Sequence, residues 1–310
     1  MKYLFKEKKY IILFATISCF LWGSAFPSLR AIFQSMSLES SDFNSKVLLA
    51  GYRFFIASII VFLLSKFIFN ISLKINKKEI IKLSLLGILH TSLMYFFFYN
   101  GYANVDGMKA PILAVAGNFF VVIFTHFIFK NDTLDKKKVI GLSFGFIGII
   151  IVNWSKGFSF TFSLTGEGFM IFSALLNAIS TIIVKIFSKK MHPLVITSYQ
   201  LFFGSIAMII YGLFTSGITS LKFDFQSSAL LLYTSLISAI AFSIWFTLLK
   251  YNRAGMISIF KFMIPIFGSV LTAIIFPEEN FSLSILLGLL FVSAGIISIS
   301  YKGSFNSEEV

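Results

Sequence analysis

Ten long apolar runs, separated by short polar stretches, constrain the fold of this 310-residue chain more than any other feature. A helix needs roughly 20 apolar residues to cross a bilayer, and most of these runs approach that length. They are almost continuously apolar rather than alternating, which is typical of membrane helices and not of barrel strands. The runs cover residues 10–33, 47–69, 80–103, 109–129, 139–154, 167–187, 194–214, 228–250, 256–276 and 283–301. We therefore predict an all-α integral membrane protein with ten transmembrane helices.

The composition excludes the main soluble alternatives. Hydrophobic residues make up 57% of the chain and charged residues 13%, whereas soluble domains have about 45–50% and about 25%. A net charge of +13 would suggest nucleic-acid binding in a soluble protein, but lysine-rich cytoplasmic loops account for it in a membrane protein. The single cysteine, Cys19, cannot form an intrachain disulfide, and no Cys/His cluster has zinc-ligand spacing. We expect no nucleic-acid partner, no metal and no cofactor.

The distribution of lysine and arginine predicts the orientation in the membrane. If the N-terminus is cytoplasmic, eighteen of these residues fall in segments on the cytoplasmic side, and the opposite loops carry only Lys46, Lys109, Lys156 and Lys222. Cytoplasmic loops are enriched in lysine and arginine. We predict a multi-pass protein of the inner or plasma membrane with both termini in the cytoplasm.

The two halves of the chain share a weak internal repeat. Tyr52-Arg53-Phe54-Phe55 in the second run matches Tyr199-Gln200-Leu201-Phe202 in the seventh, 147 positions later. The same offset relates two glycine pairs, Gly141 with Gly148 and Gly288 with Gly295. Each half has five spans, an odd number, so the two copies cross the membrane in opposite directions. We predict inverted five-helix repeats over residues 10–154 and 167–301, an architecture of many secondary transporters, whose substrate site lies at the repeat interface.

Short motifs in both halves resemble those of a known family. They are Phe20-Leu21-Trp22-Gly23-Ser24-Ala25-Phe26, Tyr52-Arg53-Phe54, Pro265 followed by Pro277-Glu278-Glu279, and Gly288 with Gly295. They are similar to the W-G-[ST]-x-F motif, the R-F element, the P…GE pattern and the last-helix glycines of EamA-type transporters in the drug/metabolite transporter superfamily. Two positions depart from the family pattern: Lys130 stands where the family often has Glu, and Asn177 stands where it often has Trp. The resemblance implies peripheral fifth and tenth helices, with the others around a central cavity; a homodimer through the peripheral helices is compatible with it.

Arg53 and Lys261 are the candidate charges for a central cavity. A charge at the bilayer centre costs about 2.5–3.5 kcal/mol on insertion scales, so each needs an anion, a partner or water. The alternatives are that Arg53 extends to the headgroups and that Lys261 has a structural role. All 13 Asp and Glu lie in loops, helix ends or tails, so the chain lacks the buried carboxylate that a proton antiporter for cationic drugs normally uses.

Polar and aromatic residues inside the spans complete the predicted substrate site. They are Trp22, Tyr99, Asn100, Asn118, Asn177, Gln200 and Trp245. Each also has a packing explanation, because tyrosine, tryptophan and amide side chains often join neighbouring helices. Gly117 and Pro265 occupy matched positions in the two halves, and both residue types weaken a helix. We predict that they are hinges.

These features predict a permease that moves small organic metabolites by alternating access, above all amino acids or other carboxylate-bearing solutes. A passive channel and an exporter of amphipathic drugs are the alternatives. A lipid-acting membrane enzyme is a weaker one, because no reactive groups gather at one membrane face. The chain has no Walker loop, nucleophile elbow or paired catalytic carboxylates, and we predict no enzymatic activity.

Cysteine labelling tests the predicted orientation. In a background without Cys19, a cysteine placed in the 39–46 loop should react with an impermeant maleimide added to intact cells. A cysteine at Lys136 should react only after permeabilisation, because that lysine-rich segment is predicted to face the cytoplasm. The reverse pattern would contradict the predicted topology.

Overall fold

The computed structural model describes residues 3–39, 41–105, 109–153, 162–217, 219–276 and 283–300. Over these residues the chain folds into helices and short connections, with no strand. The helical segments, numbered in chain order, are α1 Lys8–Ser35, α2 Phe43–Ile68, α3 Lys77–Tyr102, α4 Lys109–Ile128, α5 Lys136–Asn153, α6 Leu164–Phe187, α7 Pro193–Ser216, α8 Phe225–Tyr251, α9 Ala254–Ile275 and α10 Leu283–Ser300. The predicted all-α class is confirmed.

The apolar helices make this a multi-pass membrane protein. In the described chain, seven of them are long and apolar enough to cross a membrane, namely α1, α2, α3, α6, α7, α8 and α9. α4 and α10 contain shorter apolar stretches, Leu113–Ile128 and Leu286–Ser298. α5 begins with three consecutive lysines, which shorten its apolar length.

Capping residues set the starts of several helices at the ends of the bundle. The Asn76 side chain accepts a hydrogen bond from the Glu79 backbone N–H, and the Glu79 carboxylate accepts one from the Asn76 N–H. Asp224 makes the same reciprocal arrangement with Ser227 at the start of α8. These bonds satisfy backbone donors that a helix leaves unpaired at its first turn.

Four spanning helices contain irregular turns. α2 ends with a π-helical turn at Leu64–Ile68, and α6 begins with one at Leu164–Gly168. In the interior of the other two, α3 contains a π-helical turn at Ile88–Leu93, and α9 contains a 3₁₀ turn at Ile259–Phe262, which ends three residues before Pro265. The α9 irregularity agrees with the helix weakening expected of Pro265, whereas no sequence feature predicted the π-turns. Such turns are common at functional positions, and the two interior turns place His90 and Lys261.

Helix packing follows a paired pattern. α2 packs along α7, and α5 packs along α10; α1 lies against α8 and α9, while α6 lies against α3 and α4. The glycines related by the repeat offset meet at the α5–α10 contact. A Cβ on Gly148 would lie 2.9 Å from the Gly288 carbonyl oxygen, and one on Gly295 would lie 2.9 Å from that of Gly141. Small residues allow helix backbones to approach this closely.

The contact between α3 and α7 depends on Gly204. A Cβ there would lie 2.5 Å from the Gly87 carbonyl oxygen and 2.4 Å from the Thr91 Cβ, so Gly204→Ala should force the helices apart and destabilise the fold by about 1–3 kcal/mol. Gly168→Ala is the matched control, because Gly168 has a helical backbone and its nearest neighbour is the end of the Leu164 side chain. Thermal unfolding in detergent should show a lower midpoint for Gly204→Ala alone. Equal midpoints would contradict the close contact.

Candidate functional site

A large cavity lies inside the helix bundle. Its volume is about 1240 Å³, and α1, α2, α3, α4, α6, α8 and α9 supply its walls. None of the described residues of α5, α7 and α10 lines it. α5 and α10 are thus outside the cavity as the family resemblance implied, whereas α7, which was expected to surround it, does not reach it because α2 and α3 lie against α7.

The cavity opens at the end of the bundle where α1 connects to α2. Gln34, Ser37, Glu39 and Tyr102 line this end and are exposed. We call it the open end. At the opposite depth the lining residues Trp245, Phe246 and His90 are buried. The cavity is therefore deep and accessible from one side.

Lys261 lies at the deep part of the cavity between two tryptophans. Its Nζ is 5.1 Å from the centre of the Trp245 ring and 5.8 Å from that of the Trp22 ring. Cation–π contacts of this kind stabilise an ammonium by about 0.5–2 kcal/mol. Within the described residues Lys261 has no carboxylate partner. The ammonium is thus held by aromatic faces and can accept an anion.

Arg53 lies on the cavity wall and is directed towards α8. Its Nε donates to the Ser238 hydroxyl at 2.9 Å and to the Thr234 carbonyl at 3.2 Å. The residue is 4% exposed. Arg53 therefore joins α2 to α8 within the bundle instead of extending to the headgroups.

Several buried polar groups surround the deep part of the cavity. Thr91 donates to the Gln200 side chain at 2.8 Å, and His90 is 4% exposed. Nδ2 of Asn118, Nε1 of Trp245 and Nδ1 of His90 have no hydrogen-bond partner in the described structure. Buried polar atoms are normally paired, so these nitrogens mark a surface suited to a polar ligand.

The structure brings most of the predicted site residues together. Those that line the cavity are Trp22, Arg53, Tyr99, Asn118, Asn177, Trp245, Lys261 and Pro265. Asn100, Gln200 and Gly117 do not line it.

The three residues outside the cavity wall have other surroundings. The Asn100 carbonyl accepts from Asn104, and Gln200 bonds Thr91. α4 runs through Gly117 without interruption, and a Cβ there would lie 3.1 Å from the Ala174 carbonyl oxygen. Gly117 thus permits close packing of α4 on α6.

One motif quoted for the family, Pro277-Glu278-Glu279 after α9, lies outside the described residues.

A buried ion pair at the other end of the bundle was missed from the sequence. Lys138 donates to the Asp132 carboxylate and to the Thr133 carbonyl, and the two charged side chains are 1% and 3% exposed. The other Asp132 oxygen accepts the Gly255 backbone N–H at 2.8 Å. Asp132 therefore ties the α4–α5 connection to the first turn of α9, and we call this the closed end. Hydropathy placed both residues in a loop and gave no signal of their burial.

Lys185 adds a second polar tie at the closed end. Its Nζ donates to the carbonyls of Asn252 at 2.8 Å and Lys250 at 3.2 Å. The end of α6 is thereby fixed to the end of α8. Among the described residues, no group of three or more His, Cys, Asp or Glu could hold a metal ion.

Comparisons with known proteins agree with this architecture. The uncharacterized transporter YvbV of Bacillus subtilis (strain 168) is 26% identical over 60% of this chain and 64% of its own length. An uncharacterized transporter of Archaeoglobus fulgidus is 25% identical over 95% of this chain and 99% of its own. A solved crystal structure shares the fold with a TM-score of 0.76 at 14% identity, over 94% of this chain and 96% of that one.

A family comparison covers nearly all of the chain in two parts. Residues 9–154 and residues 164–301 each match the EamA-like transporter family. The motifs around Trp22, Arg53 and Pro265 lie within these two matches. The chain therefore belongs to the EamA-like transporter family.

Proposed function

We propose that this protein is a secondary transporter that moves small carboxylate-bearing solutes, amino acids among them, across the cell membrane by alternating access. The observation that carries the proposal is Lys261, a cation at the deep part of a cavity with no carboxylate partner among the described residues. A charge inside a membrane bundle is costly and is typical of a substrate pathway. A solute carboxylate would supply the missing counter-charge.

We further propose that the chain forms two inverted five-helix repeats with ten membrane-crossing helices, an arrangement suited to alternating access. Suppose that α1–α5 correspond in order to α6–α10. The contacts of α1 with α8 and α9 then have their counterparts in the contacts of α6 with α3 and α4. The α2–α7 and α5–α10 contacts each join two corresponding helices. The two separate family matches, 9–154 and 164–301, divide the chain at the same place. Inverted repeats of this kind give two facing states by exchanging their conformations.

The difference between the two ends of the bundle also supports a carrier. The cavity is accessible at the open end, whereas the Asp132 contacts join helices at the closed end. With the orientation predicted from lysine and arginine, the structure would be an outward-open state. Pro265, next to the 3₁₀ turn of α9, remains our proposed hinge. A homodimer through α5 and α10 remains a prediction.

A passive channel is the main alternative, and transport kinetics distinguish it. A carrier shows saturable uptake and counterflow in proteoliposomes, because one site is exposed to each side in turn. A channel shows neither.

Lys261→Met tests the proposed counter-charge. The substitution keeps the side-chain length and removes the charge. Because a charge-assisted hydrogen bond contributes about 1.5–3 kcal/mol, the affinity for carboxylate-bearing solutes should fall about tenfold or more. Lys222→Met is the matched control, since Lys222 lies outside the cavity. Ligand-dependent thermal stabilisation and proteoliposome uptake measure the effect. Unchanged affinity in Lys261→Met would return Lys261 to a structural role.

Asp132→Asn tests the proposed closure. It leaves Lys138 buried without its carboxylate, and breaking a buried ion pair costs about 3–5 kcal/mol, so the closed end should open more often. In a background without Cys19, a cysteine replacing the buried Ser258 of α9 should then react faster with a maleimide.

The control for this test is Asp135→Asn, which makes the same charge change at an exposed position of the same connection. The double variant Asp132→Asn/Lys138→Met should show less labelling than Asp132→Asn alone, because it removes both buried charges. Equal labelling in Asp132→Asn, Asp135→Asn and the parent would contradict a gating role for Asp132.

A further inference from the structure

The charges on the cavity wall are mostly positive. Among its described lining residues, four are cationic, Arg30, Lys46, Arg53 and Lys261, and Glu39 is the carboxylate. Glu39 lies at the open end and is exposed. Arg53 and Lys261 lie deeper, on walls formed largely by aromatic and aliphatic side chains. An anion is favoured at that depth, and a cation is repelled.

The deep part of the cavity offers no good place for a substrate ammonium group. A carboxylate could bind one, but the described residues at that depth include none. An aromatic pair could also bind one by cation–π contact. The aromatic pair nearest to Lys261, Trp22 and Trp245, with ring centres 5.4 Å apart, is already occupied by its ammonium. A second cation there would lie beside the first and be repelled by it.

A carboxylate, in contrast, meets the Lys261 ammonium at this depth. Trp245, whose ring centre is 5.1 Å from the Lys261 Nζ, and Asn118 also line the cavity. Nε1 of Trp245 and Nδ2 of Asn118 are buried atoms without a hydrogen-bond partner in the described structure. Turned towards the cavity, these N–H groups would add neutral donors to the charged one, which is a good environment for a carboxylate.

Aromatic side chains line the space between these donors and the open end. They are Tyr95, Phe98, Tyr99 and Phe242, with Met94 beside them. Phe98 stacks on Tyr102 with ring centres 5.9 Å apart. This wall suits a large apolar or aromatic group attached to the carboxylate.

We propose that the substrate is a net-anionic organic acid with an aromatic or similarly large apolar body and no ammonium group. Its carboxylate binds Lys261, assisted by Trp245 and Asn118, and its body packs against the aromatic wall. This inference rests on the proposed transport of carboxylate-bearing solutes and narrows it from amino acids to organic acids.

Three compounds with closely related phenylalkyl skeletons test the inference. They are 3-phenylpropionate, an anion, phenylalanine, a zwitterion, and phenethylamine, a cation. Binding to the purified full-length protein in detergent is measured by calorimetry and by thermal stabilisation. We expect 3-phenylpropionate to bind at least about tenfold more tightly than phenylalanine, and phenethylamine to bind most weakly.

Three variants locate the origin of the preference. Lys261→Met should weaken 3-phenylpropionate binding and reduce its advantage over phenylalanine, whereas Lys261→Arg should keep the preference because it keeps the charge. Trp245→Phe keeps an aromatic ring and removes the N–H, so it should weaken 3-phenylpropionate binding. Because Trp245 is buried, the smaller ring should also lower the thermal midpoint of the unliganded protein, so binding is compared by calorimetry at a temperature at which both proteins are folded.

The outcomes separate this inference from the proposed function. If phenylalanine binds as tightly as 3-phenylpropionate and Lys261→Met weakens both, the inference is overturned and carboxylate transport stands. If phenethylamine binds most tightly, or if neither carboxylate binds at any concentration tested, both proposals fail.

Discussion

Every polar group placed in hydrocarbon must find its partner within the protein, and this requirement organises the structure. Helical hydrogen bonds pair the backbone N–H and C=O groups, and neighbouring protein groups bind most of the buried cations. Arg53 donates to Thr234 and Ser238 of α8, and Lys138 pairs with Asp132. Lys185 donates to two carbonyls at the end of α8. Lys261 differs, because aromatic faces are its partners among the described residues. The cation with the weakest internal compensation is therefore the one that lies deepest in the cavity.

The polar ties are distributed so that they stiffen one end and leave the other accessible. At the closed end, Asp132 connects the two halves of the chain, and Lys185 connects two helices of the second half. At the open end the lining residues Ser37 and Glu39 remain exposed. Separating the partners of a buried pair leaves uncompensated buried charge, whereas an exposed pair separates at little cost. The closed end therefore resists opening, while the open end admits a solute.

Hydropathy was sufficient to predict where the helices lie and that Arg53 and Lys261 are inside them, because the position of a membrane helix follows from the mean hydropathy of its segment. It was not sufficient for side-chain direction, which depends on how each helix is rotated against its neighbours. Asn100 follows Tyr99 directly, yet one residue of helix turns the side chain by about 100° and Asn100 does not line the cavity. Gln200 matches Arg53 in the repeat, but α7 packs against α2 and α3 and Gln200 bonds Thr91. Asp132 and Lys138 are six residues apart, but their burial depends on a distant segment, the start of α9 at Gly255, and hydropathy does not report such contacts.

Helix α9 connects the proposed substrate site with the proposed closure. Its first turn receives the Asp132 carboxylate at Gly255, and Lys261 follows six residues later, roughly 9 Å along the axis. Between them lies the start of the 3₁₀ turn Ile259–Phe262, and Pro265 comes one turn after Lys261. A regular helix would transmit any movement rigidly, whereas the 3₁₀ turn and the proline give α9 two places with weaker internal hydrogen bonding. A carboxylate that draws the Lys261 ammonium away from the tryptophans would act on the same helix that Asp132 holds. The coupling between occupancy and closure therefore needs no relay beyond α9 itself.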